Sequence, residues 1–99
     1  AFFESHKVGH EKLKLKIAVS HIPIFSMAGI LKTYQDENGN PFTVFSIITT
    51  AANDQMRAIH DRMPVILEPE DEAFYLDQKA DPKLVWKLLK PTEQRLLIE

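Results

Sequence analysis

Apolar and polar residues alternate most regularly over residues 13–19. Leu13, Leu15, Ile17 and Val19 fall on one face there, and Lys14 and Lys16 on the other, after Lys12. That period of two predicts a half-buried strand with a lysine-lined solvent face. Phe2 and Phe3 open an earlier strand that carries Glu4, and residues 6–11 (HKVGHE) read as a polar loop centred on Gly9. Residues 24–31 (IFSMAGIL) are almost continuously apolar, which predicts a more deeply buried strand. Asn38-Gly39 is a tight-turn signal, so the runs flanking it pair as an antiparallel hairpin.

The second run of that hairpin, residues 42–49, leads into TTAANDQMRAIHDRMPVIL at residues 49–67. Residues 54–60 make about two helical turns, with Met56 and Ile59 on the buried side. His60, Asp61 and Arg62 follow side by side, and Pro64 forces Met63 out of helical geometry. Pro69 with Glu70, Asp71 and Glu72 starts a helix, because proline suits the first turn and acids complement the dipole. Asp81-Pro82 starts another, with Leu84, Val85, Leu88 and Leu89 on one face, and a last helical segment is expected at residues 93–98. The sum is an α+β fold: a mostly antiparallel core with helices gathered toward the C-terminal end.

Ninety-nine residues make one domain at most, and 44% hydrophobic with 26% charged residues is ordinary for a globular chain. A formal charge of −2 draws no polyanion globally, so one would need a local patch. No apolar run approaches the roughly 20 residues of a membrane span. The absence of cysteine excludes disulfides, thiolate metal sites and a cysteine nucleophile within these residues, and fits a cytoplasmic protein. Ala1-Phe2-Phe3 reads as a strand already under way, and RLLIE carries no stop signal, so an internal segment of a longer protein is expected.

Four positions invite chemistry. His60, at a helix exit, can serve as proton donor or acceptor; it can equally cap the helix beside an Asp61–Arg62 surface pair. Arg62 has the planar fork that suits a phosphate. Glu4 is a candidate proton carrier if it faces the apolar side, yet alternation also allows it to point outward. Thr49, with Thr50, ends a strand and starts a turn, where capping or anion binding is the available role. His6, His10 and His21 with Glu11 suggest a metal only superficially: Gly9 interrupts the pair, no cysteine assists, and no metal is expected.

At IHDRMPVIL with the preceding ITTAAND, the sequence resembles the SRAP family (SOS response-associated peptidase). FSMAGIL is similar to that family's F-x-x-A-G-L/I strand, and AFFES to its G-F-x-E-W strand. The resemblance implies covalent capture of abasic sites in single-stranded DNA. An N-terminal cysteine, exposed by self-processing, forms a Schiff base with the open sugar aldehyde, and its thiol closes a thiazolidine. By position, Glu4 matches a proton-shuttling glutamate and His60 a histidine that assists ring opening. Arg62 matches an arginine on the DNA backbone, and Thr49 a threonine lining the site.

The same resemblance places the cysteine, an orienting asparagine and a closing strand outside these residues, making the chain the central and C-terminal segment of a single SRAP domain. Ala1 and Ser5 stand where the family motif has Gly and Trp. Expected partners are abasic single-stranded DNA, with no membrane, metal or organic cofactor, and a monomer when whole. The alternative is a non-catalytic interaction module that keeps the SRAP fold.

Overall fold

The computed structural model describes residues 1–99. Strands β1 (Phe2–Val8) and β2 (Glu11–Val19) pair antiparallel from Phe2↔Ile17 to Val8↔Glu11. The loop expected over residues 6–11 therefore shrinks to Gly9-His10. A two-residue turn with Gly9 at φ 61° matches the twist of its flanking strands, so the ladder runs almost to the tip.

The apolar run at residues 24–31 is not one buried strand. It divides at Ala28 into β3 (Ser26–Met27) and β4 (Gly29–Gln35). Ala28 is fully buried, and its backbone bridges two neighbours: its N–H donates to Val65 O and its carbonyl accepts from Ile48 N–H, both at 2.9 Å. Ile24, by contrast, is 90% exposed. β4 pairs with β5 (Pro41–Ile47) from Gly29↔Ile47 to Gln35↔Pro41, the hairpin that Asn38-Gly39 signalled. Asp36 Oδ1 closes its turn by accepting from the N–H groups of Asn38 and Asn40 at 2.9 and 2.8 Å.

Thr49 and Thr50 do not begin a turn. They lie in β6 (Thr49–Ala51), which pairs with β7 (Arg62–Pro64); β8 (Ile66–Leu67) returns to β3. Between β6 and β7 the expected helix is two successive turns. Asn53 O accepts from Arg57 N–H at 3.0 Å, and Met56 O from His60 N–H at 3.0 Å, with no continuous ladder. Asn53 supplies the cap instead: its Oδ1 accepts from Met56 N–H at 3.0 Å while its Nδ2 donates to Thr92 O at 3.1 Å.

Two short helices follow as expected, α1 (Glu72–Leu76) after a 3₁₀ turn at Pro69–Asp71, and α2 (Pro82–Trp86), capped by Asp81 on Lys83 N–H at 3.0 Å. Leu84 is exposed, whereas Leu88 and Leu89 pack inward. The terminal helix does not form. Residues Leu96–Ile98 are strand β9 on the free edge of β2, flanked by reciprocal bonds between Lys16 and Glu99 at 2.8 and 2.9 Å. Unpaired edge groups of β2 needed partners, and that demand outweighed local helix preference.

The main core gathers Ile17, Val19, Ala52, Met56, Met63, Ile66 and Leu96; a smaller one joins Ala28, Val65 and Leu67 to Tyr75, Leu88 and Leu89. The architecture is α+β, mostly antiparallel, with short helices. No helix is long and apolar enough to cross a membrane.

Candidate functional site

Phe2 packs on the main core opposite Ile17, which fixes the facing of β1. Glu4, two residues on, shares that face by alternation and sits across from Leu15. Its side chain is 25% exposed, so of the two orientations the sequence allowed, the inward one is adopted. Phe3 points outward, beneath the Lys14 ammonium at 5.0 Å.

His60 closes the second turn between β6 and β7. Its Nε2 lies 3.8 Å from Glu4 Oε1, within ion-pair range and beyond a direct hydrogen bond. Its Nδ1 accepts from the Arg62 backbone N–H at 3.1 Å. That bond forms when the neutral ring carries its proton on Nε2, the nitrogen facing Glu4; with the proton on Nδ1 the ring instead donates to Arg62 O at 3.2 Å. Asp61 Oδ1 and Arg62 O also lie 3.3 and 3.2 Å from Nδ1. Glu4 Oε1 thus stands at one ring nitrogen, and Asp61 Oδ1 with Arg62 O at the other. The Asp61–Arg62 surface pair does not form; Asp61 turns to the imidazole instead.

Arg62 stands beside Ala51 across β6–β7. Its Nη2 donates to Thr49 O at 2.9 Å and to Thr49 Oγ1 at 3.1 Å. No carboxylate pairs with Arg62, so its remaining N–H donors face solvent with the charge uncompensated. Glu4, His60, Arg62 and Thr49 therefore form one chain of contacts across three strands and a turn. His6, His10, His21 and Glu11 do not gather; no trio of potential ligands is near enough to hold a metal ion. Two cavities, near 330 and 340 Å³, are lined by residues other than Glu4 and His60.

Sequence reasoning placed Asp61 beside His60, as the 3.3 Å contact has it, but did not single out Asn53 as the cap that sets the turn. Asn53 was findable, since Asn directly before a helical turn is a standard cap.

The family model for SOS response associated peptidase (SRAP) matches residues 1–98. The chain belongs to that family. The SRAP chain is 40% identical over 81 residues to the abasic site processing protein YoqW of Bacillus subtilis, covering 81% of this chain and 36% of that protein. It is 33% identical over 93 residues to YoaM of the same organism, also named an abasic site processing protein, covering 92% and 41%. The chain thus spans well under half the length of these relatives. Among solved structures, a Bacteroides thetaiotaomicron protein superposes with a TM-score of 0.90 at 35% identity, over 98% of this chain and 44% of its own.

Proposed function

We propose that the SRAP chain is the central and C-terminal segment of a domain that captures abasic sites in single-stranded DNA. The observation that supports it most is the 3.8 Å approach of Glu4 to His60, residues far apart in sequence. Capture of a sugar aldehyde requires protons to move at an amine and at a ring oxygen, which a carboxylate and an imidazole suit. The nucleophile is an N-terminal cysteine outside these residues, freed by self-processing. Glu4 and His60 carry the proton transfers, Arg62 grips backbone phosphate, and Thr49 lines the site while holding Arg62. No cofactor takes part, and the whole protein works as a monomer in the cytoplasm, associated with the nucleoid.

The deciding experiment incubates the whole protein with an abasic single-stranded oligonucleotide and resolves the products on a denaturing gel. A heat-stable adduct is the expected result. DNA binding without any adduct would leave the non-catalytic module as the function.

The Arg62–Thr49 contact carries its own prediction. Arg62→Ala should weaken single-stranded DNA binding and lower the salt slope of log K by roughly 0.7, the share of one phosphate contact. Thr49→Val should keep the charge and the bond to the Thr49 carbonyl, remove only the Oγ1 contact, and cost less affinity. Fluorescence anisotropy over a salt series reads both, and an unchanged slope for Arg62→Ala would remove the phosphate role.

A further inference from the structure

The β4–β5 ribbon presents apolar side chains on both faces. Register places Leu31 beside Phe45 on one face, and Ile30, Val44, Tyr34 and Phe42 on the other. None is buried; Leu31 is 76% and Phe45 70% exposed. A hairpin with one solvent face alternates apolar with polar, whereas apolar residues on both faces mark strands covered on both sides. The ribbon pairs with no third strand, and two-stranded ribbons are at best marginal alone.

The whole molecule carries the same signature. Its radius of gyration is 16.2 Å, against about 13 Å for a compact chain of this length. Its accessible surface is 7612 Å², roughly 1,800 Å² above what its mass predicts for a folded monomer. Doubled for two partners, that excess falls among obligate interfaces rather than transient ones.

We propose that both faces of β4–β5 are interior surfaces of the complete domain, covered by the part of the SRAP fold outside these 99 residues. A second copy is the poorer occupant. A two-fold dimer uses one self-complementary patch and would leave the opposite face bare, while covering both faces head-to-tail gives an open filament. A longer segment can wrap both. The Bacteroides thetaiotaomicron protein has the material: the matched region is 44% of its chain, leaving more than half elsewhere. The proposal rests on reading this chain as a segment of a domain, and is independent of the abasic-site chemistry.

The test grafts residues 1–99 into the Bacteroides thetaiotaomicron protein in place of its matched region. Amides of residues 29–47 should exchange slowly in the chimera, and Leu31→Lys and Val44→Lys, one per face, should each lower Tm by roughly 10 °C. Leu31→Met should shift it by only a few degrees, roughly. Unchanged Tm for either lysine variant, or free exchange over the ribbon, would overturn the proposal. The isolated 99-residue chain gives a second measurement if the chimera does not fold. There, hydrophobic-dye binding that both lysine variants reduce supports it. A closed dimer that protects the ribbon overturns it in favour of a second copy, and a dye-silent monomer with protected amides overturns it outright. Adduct formation on abasic DNA is scored separately, so loss of chemistry and loss of this interface are told apart.

Discussion

Replacing His60 with alanine should slow adduct formation on abasic single-stranded DNA by about 10²–10⁴-fold, the range for one general acid–base group. DNA affinity should hold, because Arg62 keeps its bonds to Thr49 without the ring. Glu4→Gln should act similarly: it preserves shape and removes the carboxylate that faces Nε2. On the proposed reading the two groups share one proton route, so the double variant should be little slower than the worse single one. A time course on denaturing gels with the whole protein reads all three. Independent, multiplying effects would mean the two side chains serve separate steps, and a wild-type rate for His60→Ala would leave the 3.8 Å approach without function.

Met63→Ala should destabilise the whole protein by about 2–5 kcal/mol, the cost of truncating a fully packed Met. Met63 is 1% exposed, sits in the main core with Met56 and Ile66, and its Sδ accepts from Asn53 N–H at 3.4 Å. That loss rivals the entire stability of a marginal domain, roughly 5–15 kcal/mol. The effect should reach the site, because β7 carries Arg62 next to Met63 and begins directly beyond His60 and Asp61. Met63→Leu conserves volume and should cost less than about 1.5 kcal/mol. Urea unfolding separates the two variants, and equal midpoints for them would show that the core tolerates the cavity.

Strings with a strong local cause were legible. The run ending at Val19 alternates because its face is covered from Leu15 onward, with Leu13 left exposed near the turn, and Asn38-Gly39 turns because Gly39 adopts φ 78° without strain. Asp81-Pro82 starts a helix because cap and first-turn proline agree. IHDRMP with ITTAAND was specific enough to indicate the family that the match over residues 1–98 establishes. Long-range pairing was not legible. Residues 96–98 carry no mark that distinguishes a strand on β2 from a helical end, since the deciding partners lie some eighty positions earlier. Apolar residues 24–31 suggested depth, but hydrophobicity records a need for cover and not whether these 99 residues supply it.

The amino-acid order alone determined the kind of fold, the Asn38-Gly39 hairpin and the identities of the four candidate residues, because periodicity, turn chemistry and motif are local properties. Tertiary structure decided which way Glu4 faces, that it meets His60, and that Thr49 holds Arg62. Those are distances between segments, and a distance between segments is set only when strands take their register and the core closes around Ile17, Met56 and Met63.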